Sequence, residues 1–170
     1  MRKVIISKSN FLDIFLLSEC NRECLPISYS SVEYFFFILS PQYEVFSVYN
    51  DTNEDMVGYA LGLYEDTNFH LMSIGIIKKL RGRGLGNSLL DYIEESVNKD
   101  TKTISLYVHV ENVPALNLYK KKGFKVKERL KDYYKGSLKN AKDYDAFYMH
   151  KKIKRENLNQ NISKPVKSKH

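Results

Sequence analysis

Six consecutive residues, Arg81-Gly82-Arg83-Gly84-Leu85-Gly86, place three glycines and two guanidinium groups just ahead of an amphipathic stretch. Glycine admits left-handed backbone and close approach of N–H groups to a ligand, and a helix begins with unpaired amides. The segment therefore predicts a cradle for a pyrophosphate or a similar anion. Its glycine order is not G-x-G-x-x-G and the chain lacks repeated βαβ halves, which argues against a dinucleotide fold; the absence of Gly-Lys-Ser/Thr excludes a P-loop. Taken alone, the hexapeptide also fits a flexible basic turn. Other reactive side chains are sparse. The histidines, His70, His109, His150 and His170, are scattered and form no Cys/His cluster with ligand spacing, which argues against a metal site. Cys20 and Cys24 fall on one face of an expected helix and read as reduced core thiols.

The elements needed to position these groups follow from periodicity. Phe11, Ile14, Phe15 and Leu17 predict a first helix to about Cys20, capped by Ser9 or Asn10, and Ser31 opens a second containing Tyr34, Phe35, Ile38 and Leu39. Residues 45–49 and 56–63 read as strands of a hairpin, and 70–77 as a strand leading into the glycine-rich loop. Leu85, Leu89, Ile93 and Val97 mark the buried stripe of the helix after that loop. A strand over 103–110, a helix over 113–121 capped by Asn112 with Pro114 in its first turn, and strands over 124–129 and 146–151 complete the series. Residues 131–144 form a long loop between the last two strands. The order ααββ then βαβαββ predicts an α/β (α+β) domain, a mixed central sheet flanked by helices.

With 170 residues, 43% hydrophobic and 28% charged, the chain suits one globular domain over residues 1–152. Residues 153–170 carry too few apolar groups to pack and read as a disordered basic tail that contributes to the net charge of +7. That tail is either a solubilising extension or a weak electrostatic contact for ribosomal RNA, with no specific nucleic acid implied. Lys8 and Asp13 interrupt any leader-like apolar run and no apolar stretch reaches bilayer length, so the expected location is cytoplasmic, with no membrane partner.

Arg81, Gly84 and Gly86 match the acetyl-CoA motif Gln/Arg-x-x-Gly-x-Gly/Ala of the GNAT superfamily. Asn112, Ala115, Leu118, Tyr119, Gly123 and Phe124 resemble its second block, Asn-x-x-Ala-x-x-Leu/Phe-Tyr-x-x-x-Gly-Phe. Over most of residues 3–152 the chain is similar to the catalytic subunits of N-terminal acetyltransferases, through Leu25-Pro26-Ile27-Ser28-Tyr29 and through Tyr133-Tyr134 followed by Asp143, Asp145, Ala146, Tyr148 and Met149.

This resemblance implies the GNAT fold, acetyl-CoA as co-substrate, and transfer of its acetyl group to the α-amino group of a protein or nascent-chain N-terminus. An auxiliary ribosome-anchoring subunit is a candidate partner. The cofactor side would comprise Ile74, Gly75, Ile76 and Ile77, the loop residues Arg81, Gly82, Arg83, Gly84, Leu85 and Gly86, and Asn112, Ala115 and Tyr119. The peptide side would comprise Leu25, Pro26, Ile27, Tyr29, Tyr107, Tyr133 and Tyr134. By the same likeness His70 is the candidate base, the Ile76 N–H an oxyanion donor, and Tyr119 a proton donor to the leaving sulfur. The plainer alternatives are an exposed strand-end histidine and half-buried core tyrosines. Tyr107 departs from the eukaryotic pattern, where a histidine stands; His109, two residues on, could substitute only with a changed register. Ile27 in place of glutamate aligns the chain with members that favour Met followed by an apolar residue. A lysine or small-amine acetyltransferase and a non-catalytic acyl-CoA-binding subunit are the competing functions.

Overall fold

A computed structural model describes residues 4–51, 55–139 and 141–154. A strand the hydrophobic pattern did not predict opens the chain: β1 (Val4–Lys8) pairs antiparallel with β2 (Tyr43–Asn50) at the sheet edge. Between them, Asn10 and Asp13 close a reciprocal capping box around a 3₁₀ turn, Phe11–Asp13, and α1 (Ile14–Cys24) follows, a turn longer than expected. Ser30 and Glu33 form a second capping box at α2 (Ser31–Leu39). The expected hairpin is β2 with β3 (Met56–Glu65), and β4 (Asn68–Ile76) pairs antiparallel with β3.

The remaining elements are α3 (Leu85–Ser96), β5 (Thr103–His109), α4 (Val113–Lys121), β6 (Lys125–Leu130) and β7 (Ala146–Lys152). The sheet order is β1-β2-β3-β4-β5-β7-β6, so the last strand inserts between β5 and β6. Only β4 and β5 run parallel, and their pairing stops at Leu71↔Leu106. A register shift against Leu61 and Gly62 makes Met72 an extra residue on β4, a bulge that bends the strand where it leaves β5. Residues 72–76 consequently form one wall of a wedge in the sheet.

Leu17 and Tyr34 from the first two helices, Phe46, Tyr59, Phe69 and Leu106 from the strands, and Leu89 and Ile93 from α3 form the core, each at most 1% exposed. Cys20 and Cys24 are buried free thiols with their sulfurs 4.0 Å apart. Gly75 allows α1 to close against β4: a Cβ there would lie 2.6 Å from Cys24 Cβ. The sheet ends at Lys152, and the expected basic tail lies, from residue 155 onward, outside the described residues. Among the described residues no helix is long and apolar enough to cross a membrane.

Candidate active site

Beyond β4 the chain makes a 3₁₀ turn, Lys78–Leu80, and enters the glycine-rich loop. Gly82 and Gly84 take left-handed φ values of 75° and 84°, and Gly84 is the N-cap of α3, which has no side-chain cap hydrogen bond. A Cβ at either glycine would meet nothing within 4 Å, so glycine is required for backbone conformation and not for space. Gly86 differs, since its Cβ would lie 3.1 Å from Leu118 Cδ2, and the close approach of α3 to α4 depends on its bare Cα. Between these helices runs a groove of about 480 Å³ with Ile74, Gly75 and Ile76 as its floor. Gly82, Gly84, Leu85, Gly86 and Asn87 line one wall, and Ala115, Leu118, Tyr119 and Lys121 the other. Amides at the positive end of a helix dipole, with Lys121 opposite, suit an anionic, elongated ligand.

Two expected groove residues are placed elsewhere. Ile77 is buried and donates its N–H to the Val57 carbonyl at 3.0 Å, so β3 occupies it. Arg83 turns to a separate cleft it shares with Glu19, Glu23 and Asp55. Arg81 lines the groove, but its guanidinium ties the loop down, Nε donating to Ile76 O at 2.8 Å and Nη2 to Cys24 O at 2.9 Å. Strand alternation explains the remainder. Because the Ile77 amide faces β3, the backbone groups of Ile76 and Ile74 face the open wedge, where the Ile76 C=O is already taken by Arg81.

A second cavity, of about 660 Å³, meets the groove end to end. Leu25, Ile74, Asn112, Ala115 and Tyr119 line both, so Tyr119 and the β4 backbone stand at the junction. Leu25, Pro26, Ile27 and Tyr29 of the loop after α1 form one side, Tyr133 and Tyr134 of the β6–β7 loop another, with His70, Tyr107 and His109 from the strands. Tyr107 stacks on Tyr133 with centroids 4.6 Å apart and receives His70 edge-on at 5.0 Å. Two ion pairs from Arg129, to Asp145 at 2.6 Å and Asp143 at 2.8 Å, brace the tyrosine loop. Among the described residues lining the cavity none is an aspartate, glutamate, lysine or arginine.

The His70 Nδ1 lies 2.9 Å from Ser105 Oγ, which also accepts from Asn68 Nδ2 at 2.8 Å. Burial pulls the His70 pKa below its ordinary value, against a weaker opposing pull from Glu65. His109 reaches the same cavity, with its Nε2–H donating to the Asp143 carbonyl at 2.8 Å. Burial pushes the buried Tyr119 hydroxyl upward and that of Tyr134 to about 12, which keeps both as proton donors. Sequence reasoning missed Leu63, Met72, Ser73, Ser137 and Leu138 in the cavity and Asn87 and Lys121 in the groove. Only Lys121, a cation ending the helix that carries the second motif, left a usable signal.

An anion-binding groove joined to a neutral aromatic cavity on a splayed mixed sheet defines an acyltransferase architecture. The family described as "Acetyltransferase (GNAT) family" matches residues 14–124, and the chain belongs to it. Within that family its relatives include N-terminal acetyltransferases. The catalytic subunit NAA10 of the N-terminal acetyltransferase A complex from Arabidopsis thaliana is 30% identical over 159 residues, covering 89% of this chain and 79% of the relative. An N-alpha-acetyltransferase of Sulfurisphaera tokodaii is 29% identical over 159 residues, covering 85% and 90%. The fold matches the ribosomal-protein-S18-alanine N-acetyltransferase of Escherichia coli with a TM-score of 0.79 at 21% identity, over 92% of this chain and 98% of that one. It also matches Arabidopsis thaliana NAA60 in complex with acetyl-CoA, with a TM-score of 0.75 at 19% identity, over 89% and 99%.

Gly84→Val puts a β-branched residue at a left-handed position and displaces the first amides of α3. Calorimetry should show acetyl-CoA affinity reduced by about tenfold or more, ~1.4 kcal/mol, with the helical circular dichroism retained. Unchanged affinity would place the phosphates elsewhere.

Proposed function

We propose that the enzyme acetylates protein N-termini, with Met followed by an apolar residue preferred, by direct attack of the α-amine within a ternary complex. The cavity at the junction carries the reading: it is large and aromatic, and among the described residues no carboxylate, lysine or arginine lines it. An α-amine with a pKa near ~8 needs only modest help to lose its proton, whereas a lysine amine near ~10.4 would need a stronger base or a neighbouring charge.

Acetyl-CoA supplies the activated acyl group, held by the Gly82–Leu85 backbone, the first amides of α3 and the groove face of α4. The Ile76 amide, or that of Ile74 beside it, donates to the carbonyl oxygen as negative charge builds there. Tyr119, buried and protonated at the junction, donates to the departing sulfur. His70 takes, through Nε2, the proton that the neutral α-amine sheds as it attacks, in the tautomer whose Nδ1–H donates to Ser105 Oγ. The thiols favour direct attack: Cys24 lines only the groove, Cys20 neither the groove nor the acceptor cavity, and both are buried.

The sign of the pH dependence follows from neutral His70 being the active form. Its lowered pKa keeps it unprotonated at neutral pH, and activity is lost as pH falls through that value, below the ordinary ~6.5. The amine itself loses reactivity below ~8, so the logarithm of the rate should fall with a slope approaching two at acid pH. His70→Gln should reduce that slope to one, and Tyr119→Phe should lower kcat with the slope of two preserved. A parent slope of one throughout removes His70 as base.

Specificity is assigned to Ile27, which is 41% exposed at the cavity mouth. Packing one long apolar side chain against it contributes about 1–3 kcal/mol, or roughly ten- to two-hundredfold discrimination. Initial rates should rank peptides beginning Met-Leu or Met-Ile above those beginning Ser or Ala, and Ile27→Glu should narrow the gap. A parent that prefers Ser or Ala starts, with no shift in the variant, overturns both the selector and the substrate assignment.

The outer face of the first two helices is assigned to an auxiliary subunit. Phe11, Leu12, Phe15, Phe36 and Leu39 are all more than half exposed there, an apolar surface unusual for a free monomer. The Arabidopsis relative is named as the catalytic subunit of a complex. The double variant Phe15→Glu, Phe36→Glu should keep peptide turnover and lose association with the auxiliary subunit in co-purification. Retained association would move that interface elsewhere.

A further inference from the structure

Asn21 is a polar residue on the buried side of α1 and is 0% exposed. An amide removed from water is costly unless each of its bonding positions is filled. Here all four are. Oδ1 accepts from the Tyr29 N–H at 2.8 Å and from the Tyr34 hydroxyl at 3.1 Å. Nδ2 donates to the Tyr59 hydroxyl at 2.6 Å and to the Ile27 carbonyl at 3.4 Å. This matches the two lone pairs and two N–H groups of the side chain.

What these partners belong to gives the residue its significance. Ile27 and Tyr29 are the acceptor-loop residues that line the cavity. Tyr59 Oη lies 2.6 Å from Ser73 Oγ, and Ser73 lines the same cavity one residue past the Met72 bulge. One side chain thus holds the loop that faces the incoming peptide at a set distance from the strand that faces the thioester. Ser18 Oγ adds a bond to the Tyr29 carbonyl at 3.2 Å, and the Tyr29 ring packs edge-on against Tyr34 and Phe37 at 6.2 and 5.2 Å. The contacts that grip the loop backbone are polar and directional, so losing them lets Ile27 move by more than a side-chain rotation.

We infer that Asn21 is a positioning residue for peptide selection: through Tyr29 and Ile27 on one side and Tyr59 and Ser73 on the other, it holds the acceptor loop in register with β4. The inference rests on the proposed acceptor reading for its kinetic consequence, but the geometry of the loop is independent of the substrate. The groove assigned to acetyl-CoA lies on the far side of the junction, and of the loop only Leu25 reaches it, so acetyl-CoA affinity should change little.

The test uses the full chain with Asn21→Ala, Tyr59→Phe and Tyr34→Phe. Tyr34→Phe removes one bond from the same buried network and leaves both loop bonds and the tie to Ser73 intact, so it reports what general loosening does. Asn21→Ala should raise the peptide KM by about tenfold or more, reduce the preference for Met-Leu over Ser starts, and leave the acetyl-CoA KM within about twofold, a pattern for lost positioning and not for lost chemistry. Tyr59→Phe should move the same quantities in the same direction, and it carries the test if Asn21→Ala does not fold. Tyr34→Phe should change none of them. Hydrogen exchange without peptide should show residues 25–30 losing protection in Asn21→Ala, or in Tyr59→Phe if it carries the test, while the α3 amides keep theirs. Equal losses in all three variants, or acetyl-CoA and peptide KM rising together, would make Asn21 a core residue only and overturn the inference. Unchanged loop exchange overturns it whatever the acceptor. Raised loop exchange in the variant, with a parent that acetylates no N-terminal peptide, supports the positioning role and removes the acceptor assignment instead.

Discussion

The parting of β4 from β5 is the constraint on which the other features of this enzyme depend. The two strands pair in parallel only as far as Leu71 and Leu106, and the extra residue Met72 turns β4 aside at that point. Backbone groups that a continuous sheet would have consumed are left directed into a wedge. Such groups must find partners, and a ligand with amide and carbonyl groups of its own can supply them. The same parting separates two clefts, one between α3 and α4 and one under the tyrosine loop, and lets them communicate only across Ile74, Ala115, Tyr119 and their neighbours.

The clefts differ in electrostatics as their contents require. The groove presents helix-terminal amides and a lysine and suits a polyanion. The cavity presents tyrosines, histidines and aliphatic side chains; burial there lowers the His70 pKa and would cost a charged side chain its hydration. Cationic groups are present near the first cleft but are partly diverted. Arg81 is a structural clamp between the end of β4 and the end of α1, and Arg83 faces acidic residues on another surface. What the loop offers an anion is therefore backbone more than guanidinium groups, and the left-handed glycines shape that backbone.

Parts of the site that depend on adjacent residues are legible in the chain's own spacing. The loop can be read because positive φ and helix initiation are properties of a few neighbouring positions, and Gly82 and Gly84 adopt the conformations that glycine alone takes readily. Asn112 caps α4 through Ala115 N–H as expected, and the stripe of Leu89, Ile93 and Val97 is buried. By contrast β1 leaves little trace: five residues, the last two polar, half exposed at an edge, have too weak a pattern to stand out, and they become a strand only because β2 offers an unpaired edge.

The sequence by itself determined the class of fold, the family and the glycine-rich turn that opens α3, because each is written in short-range spacing that any chain with those residues must express. Tertiary structure alone decided that the Ile77 amide bonds β3 and that Arg83 lines a neighbouring cleft with Glu19, Glu23 and Asp55. It also decided that His70, Tyr107, Tyr119 and Tyr133, from four separate elements, line one cavity. Insertion of β7 between β5 and β6 helps carry the tyrosine loop over that cavity, and no local pattern encodes such an insertion. Asn21 shows the limit most clearly: in the sequence it is an unremarked polar residue within a helix, and its meaning comes from four hydrogen bonds to residues 6 to 38 positions away. Burial, which makes those bonds obligatory, is a property of the packed chain and not of the residue.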